Sequence, residues 1–108
     1  MTAAWMKTPL HGAGRIERVV GEYRIWDIAR VPNASYWIKV VQCGERDFHA
    51  SPNIAVRGPD GTPEWIGGGG TTEVEALENA LANLAGELDK LCGDVDPARF
   101  DWADPRDF

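Results

Sequence analysis

Cys43, His49 and His11 have the strongest claim to chemistry in this sequence, because nucleophiles, general bases near neutral pH and soft metal sites are built from thiols and imidazoles. The chain holds two histidines and two cysteines, the second thiol being Cys92. Neither histidine has a ligating partner three or four residues away, as a helical metal motif requires, and no Cys-x-x-Cys pair is present. A Cys43–His49 thiol–imidazole pair carries no local signature. Carboxylates crowd the stretch DVDPARFDWADPRDF, but Asp beside Pro in an acidic segment holds no two groups in fixed register. The expectation is a protein with no catalytic residue, metal site or cofactor, and with two free thiols.

The glycine run GGGGTTEVE, Gly67 to Glu75, is the other place to look, since glycines that lead into a helix can cradle a phosphate. A phosphate loop of the Walker type needs a Lys beside Ser/Thr at the helix start, and a dinucleotide loop needs GxGxxG in a parallel unit. Here Glu73, Glu75 and Glu78 follow instead, and they repel an anion. Thr72 and Glu75 form a capping box, in which each side chain satisfies a first-turn N–H. The run therefore reads as a flexible hairpin exit into a self-capped acidic helix.

That helix is the most sharply written element. Val74, Leu77, Leu81, Leu84, Leu88 and Leu91 recur at spacings of three and four, which places them on one stripe before Gly93 ends the pattern. Gly86 in mid-helix is expected where another backbone comes close. Upstream, RIERVV and YRIWDIARV are β-prone, with Tyr23, Ile25, Ala29 and Val31 on one side and Trp26 and Ile28 on the other. PNAS turns the chain into YWIKVVQ, Tyr36 to Gln42, as the returning strand of a hairpin. Cys43 to Asn53 reads as a loop or broken edge strand, because Pro52 removes a ladder donor. In NIAVR-GPDGT-PEWIG, Pro59 and Asp60 suit the centre of a type I turn and Gly61 the left-handed position after it.

The fold expected from these pieces is α+β: an antiparallel sheet of three to five strands in meander order, with one long amphipathic helix packed across a face. Residues 1–93 form the domain, and 94–108 form an acidic aromatic tail docked on the domain or on a partner. A length of 108 residues, with 26% charged and 44% hydrophobic, suits a single folded domain and excludes disordered and fibrous classes. No apolar run approaches the ~20 residues of a membrane span, and MTAAWMKTPLHGAG lacks a signal-peptide core, so a cytoplasmic location is expected. Charge is uneven. Through Arg57 eight Lys/Arg face five Asp/Glu, and from Gly58 onward three face twelve, so a half of +3 precedes a half of −9 within the net −6.

Two resemblances follow from particular residues. From Tyr36 to Leu84 the order strand, loop, hairpin, glycine-rich turn and helix resembles a double-stranded-RNA-binding domain. Thr71-Thr72-Glu73-Val74-Glu75 stands where that family has its basic helix start, so the likeness implies topology alone. Gly70, Thr72, Glu75, Ala76, Leu77, Asn79 and Ala80 match the pattern G-x-T-x-x-E-A-L-x-N-A, which is similar to HicB-type antitoxins and other small phage-encoded sheet-and-helix proteins. GPDGTPEWI replaces the HicB strand upstream of it.

The functional expectation is a small, acidic, non-enzymatic protein that inhibits a partner by occupying a basic surface, such as an anti-CRISPR or toxin-immunity protein in a phage setting. The charges expected to do this are Glu73, Glu75, Glu78, Asp101, Asp104 and Asp107, with Trp102 and Phe108 as anchors, since aromatic residues dominate interface energetics. One alternative is a nucleic-acid-binding module that stacks bases on Tyr23, Trp26, Tyr36 and Trp37. Another is a HicB-like regulatory domain, with homodimerisation open in each case.

Overall fold

A computed structural model describes residues 3–105 and 108. A short 3-10 helix, Ala4–Lys7, precedes seven strands and one long helix: β1 Arg18–Trp26, β2 Ser35–Gly44, β3 Asp47–Pro52, β4 Ile54–Arg57, β5 Pro63–Glu64, β6 Gly68–Gly70, α1 Glu73–Asp89 and β7 Phe100–Trp102. The fold is α+β. The strands form two antiparallel sheets rather than one: a four-stranded sheet in the order β1-β2-β3-β6 and a three-stranded sheet in the order β5-β4-β7. Helix α1 lies against β6, β3 and β2 on one face of the larger sheet.

Strand alternation sets the two faces of that sheet. Tyr23 pairs with Ile38, Ile25 with Tyr36, and Val40 with Ala50, and these rows face the helix. Tyr36, Ile38, Val40 and Ala50 then join Ile54, Val56, Ala76, Ala80, Leu84, Leu88 and Phe100 in one core. Ile38, Ile54, Leu84 and Leu88 are fully enclosed, each contributing about 1.5–3 kcal/mol of apolar burial. The opposite rows, Arg24 with Trp37, Glu22 with Lys39 and Ser51, and Val41 with His49, form the outer face, turned away from α1.

The segment Cys43 to Asn53 departs from its sequence reading. It holds the end of β2 and all of β3, an internal strand. Pro52 is tolerated because it is the last residue of β3, and Asn53 resumes the ladder, with its N–H donating to Trp37 O at 2.9 Å. The GPDG turn forms as its residues dictate: Gly61 N–H donates to Gly58 O at 2.9 Å, and Gly61 takes φ +81°. The tail folds back as β7, with Phe100 opposite Val56 and only 4% exposed.

The glycine run has a packing role. A Cβ on Gly68 would lie 2.3 Å from the Ala80 nitrogen, and one on Gly70 would lie 2.8 Å from the Ala76 nitrogen, so strand and helix backbones touch here. That contact rotates the helix relative to its leucine stripe. The buried residues are Ala76, Ala80, Leu84 and Leu88, while Val74 is 69% exposed. Two short alanines let the first turns descend onto glycine, and Val74 lies off that line. Gly86 is different from its sequence reading: it is exposed, with nothing within 4 Å of a built Cβ.

The same helix covers the sheet edge. Asn79 Nδ2 donates to Gly69 O at 2.8 Å, and Asn83 Nδ2 donates to Gly67 O at 3.0 Å. Four helical residues rise about 6 Å and two strand residues about 6.7 Å, so one asparagine ladder meets alternate carbonyls of edge strand β6 and the residue before it. Edge strands left open are templates for unwanted pairing. Thr72 accepts from the Glu75 N–H at 3.1 Å, and the Glu75 carboxylate accepts from the Thr71 N–H at 3.2 Å. The pattern G-x-T-x-x-E-A-L-x-N-A thus describes how a capped helix is seated on a glycine strand.

Candidate functional site

Period-two alternation along β1 and β2 brings Arg24, Trp26, Trp37 and Lys39 to the outer face of the larger sheet. The Arg24 guanidinium stacks 4.3 Å from the Trp26 ring centre, and its Nε donates to Ser35 Oγ at 3.2 Å. Toward the other end, this face sinks into an open groove of about 660 Å³ whose lining includes Lys39, Val41, Ser51, Trp65, Trp102 and Phe108. The Lys39 ammonium lies 5.0 Å from the centre of the Phe108 ring. Four of the five tryptophans stay in solvent: Trp26 is 63% exposed, Trp65 48%, Trp37 40% and Trp102 38%. Trp65 and Trp102 share the groove, whereas Trp26 and Trp37 lie on the sheet face outside its lining.

The β2–β3 hairpin adds a polar cluster to the groove. Val41 pairs with His49 and Gly44 with Asp47, so Cys43, Asp47 and His49 emerge together beside the turn. One ligand atom from each lies within 4.8 Å of the other two, and His49 Nε2 is 2.8 Å from Asp47 Oδ1. The Cys43 thiol donates to Glu17 Oε2 at 3.7 Å, and Glu17 pairs with Arg15 at 3.5 Å. Burial pushes the thiol pKa up, and the Glu17 and Asp47 carboxylates push it further. A thiol held protonated is a poor nucleophile. Because its hydrogen bond goes to a carboxylate while Asp47 holds His49 Nε2, the cluster is not arranged as a thiol–imidazole catalytic pair.

The residues singled out in the sequence are dispersed. Glu73 accepts a hydrogen bond from the Tyr23 hydroxyl, which raises that phenol's pKa, and Glu75 is committed to the helix cap. Glu78 is exposed. Asp101 pairs with Arg57 at 2.6 Å across the smaller sheet. Trp102, Asp104 and Phe108 line the groove, and Asp107 lies outside the described residues. The helix acids and the groove-lining tail residues therefore occupy opposite sides of the larger sheet. The four hairpin aromatics also divide: Trp26 and Trp37 face outward, whereas Tyr36 is 3% exposed in the core and Tyr23 packs against it. Paired strands put Tyr23 and Tyr36 in rows adjacent to, and facing away from, those of the tryptophans, so no single face presents all four.

No family model, curated protein or solved structure matches this chain. Its own geometry is what bears on function. Trp65 joins the groove without having been singled out, and sequence reasoning weighed Cys43 with His49 only as a catalytic pair, without Asp47. A partner test at three or four residues applies to helices; on a strand the corresponding signal is Asp47-x-His49, with Cys43 returned across a tight turn.

Proposed function

We propose that the protein is a non-enzymatic binding protein that docks its outer sheet face on a basic surface of a protein partner and blocks it. The observation that carries this is the exposure of Trp26 and Trp37 on the outer sheet face and of Trp65 and Trp102 in the groove beside it. Indole rings are complementary to Arg and Lys, which stack on aromatic faces. A net charge of −6 favours approach to a positive surface. An inhibitor of the anti-CRISPR or toxin-immunity type is the functional class this reading names, because such proteins mask nucleic-acid-binding or catalytic clefts rich in Arg and Lys.

Relative to the sequence expectation, the contact moves from the acidic helix to the groove. Glu73 and Glu75 are engaged within the fold, and Asp101 is neutralised by Arg57, whereas Trp102 and Phe108 keep their place as anchors. Trp37 and Trp65 extend that surface.

The test is affinity capture from host lysate with the wild-type chain and a Trp37→Ala/Trp102→Ala variant, with and without nuclease. Retention of a basic protein in nuclease-treated lysate by the wild type, lost in the variant, supports the reading. Recovery of nucleic acid alone sinks it in favour of a stacking module built on Arg24, Trp26 and Trp37.

A further inference from the structure

We propose that Cys43, Asp47 and His49, with Glu17 as the fourth donor, form a binding site for a divalent transition-metal ion of the Zn²⁺ class that staples the β2–β3 hairpin to the segment before β1. The donor types decide the class. A thiol and an imidazole select borderline-soft metals such as Zn²⁺ and Co²⁺ over Mg²⁺ and Ca²⁺, which require oxygen ligands.

Geometry brings three donors together. Tetrahedral zinc with bonds of about 2.0–2.3 Å holds its donors roughly 3.5 Å apart. Here the Asp47–His49 pair is tighter, at 2.8 Å, as hydrogen-bonding distance requires, and the set of three donors spans no more than 4.8 Å. An ion replacing that hydrogen bond spreads the pair by well under 1 Å and draws in the thiol by about 1 Å. Both movements are rotations of side chains outside the core: Asp47 and His49 are 57% and 55% exposed. Beneath them, β2 and β3 fix the Cα positions through the paired rows Val41–His49 and Gly44–Asp47.

Glu17 lies outside the three-donor cluster, but its Oε2 already receives the thiol hydrogen at 3.7 Å, and a side-chain swing past the sulfur brings it to the ion as the fourth donor. Binding releases the thiol proton to solvent and moves the His49 Nε2 proton to Nδ1, which leaves a thiolate, two carboxylates and a neutral imidazole around the ion. The assembly then carries one net negative charge, and Arg15, 3.5 Å from Glu17, balances it. With protein ligands in all four positions the site is closed, so its role is structural and compatible with a non-enzymatic protein.

Cobalt is the reporting probe. The full chain, reduced and freed of metal by chelator, is titrated with Co²⁺. The expected result is one equivalent bound, with a thiolate-to-cobalt charge-transfer band, the intense visible bands of a tetrahedral ion, and loss of both when Zn²⁺ is added. Cys43→Ser should abolish the charge-transfer band and weaken Zn²⁺ binding ~100-fold, the share of one ligand among four. Cys92→Ser should leave both unchanged, since that thiol lies outside the cluster. Thermal melts of the chelated variants establish that they fold. A titration without the charge-transfer band, or with a band that survives Cys43→Ser, overturns the site. A Glu17→Gln titration identical to wild type overturns the closed fourth position. Neither readout depends on a docking partner.

Discussion

Replacing Gly68 with Ala tests the central packing contact of this fold. The added methyl would lie 2.3 Å from the Ala80 nitrogen, 2.7 Å from the Asn79 carbonyl carbon and 2.9 Å from the Ala80 Cα. All three are backbone atoms, so no rotamer change relieves the overlap. To restore ordinary contact at 3.4 Å, the helix must retreat by about 1 Å. Overpacking of this kind costs ~1–3 kcal/mol, and backbone clashes lie at the upper end. The retreat also stretches the Asn79–Gly69 and Asn83–Gly67 hydrogen bonds, each contributing about 1 kcal/mol. Reduced freedom of the unfolded chain offsets roughly 0.4–1 kcal/mol. The net expectation is a loss of about 3 kcal/mol, which lowers Tm by roughly 12 °C or more for a domain of this size. Gly86→Ala is the matched control: the same methyl enters open space within a helix and should stabilise by about 0.5–1 kcal/mol. Thermal and urea denaturation followed by circular dichroism reads both. If Gly68→Ala melts at or above the wild-type temperature, the helix does not rest on β6 and the role assigned to the glycine run is refuted.

Asn79→Ala with Asn83→Ala should cost about 2 kcal/mol in total and, by uncovering the carbonyls of edge strand β6, promote self-association; sedimentation that remains monomeric would remove the edge-covering argument. Phe100→Ala empties a site that is 4% exposed and should cost ~3–5 kcal/mol, measured by urea denaturation, whereas a loss under about 1 kcal/mol would mean the tail is not part of the core. Burial pushes the Tyr36 phenol up to about 12, with Asp27 adding to the rise and Arg30 opposing it. Unfolded tyrosine titrates near ~10, so between these values the unfolded chain has released a proton that the folded chain retains, and stability falls by about 1.4 kcal/mol per pH unit. Tyr36→Phe should flatten that part of the alkaline unfolding profile; an unchanged slope contradicts the burial of this hydroxyl.

Features that act within a few residues were legible in the sequence. The Gly58–Gly61 turn follows from Pro59, Asp60 and the left-handed Gly61, and the start of α1 from Thr72 and Glu75, because turn and cap hydrogen bonds close over three or four residues. The α+β class was legible as well, since hydrophobic periods of two and 3.6 are written locally. Three things were decided only when distant segments met. Pairing of β7 with β4 made Phe100 a core residue, although its acidic, proline-flanked surroundings read as a tail. Ladder register assigned Tyr23 and Tyr36 to the helix side and Trp26 and Trp37 to solvent, because a one-residue step along a strand reverses the face. Register across the β2–β3 turn likewise gathered Cys43, Asp47 and His49, which no helical spacing links. The glycine run lies between these cases. The sequence excluded phosphate through Glu73, Glu75 and Glu78 and read the run as a flexible hairpin exit, with close backbone approach expected at Gly86 instead. That a backbone approaches the run, and that it is the protein's own helix, at Ala76 and Ala80, depends on a contact between chain segments and so belongs to the tertiary structure.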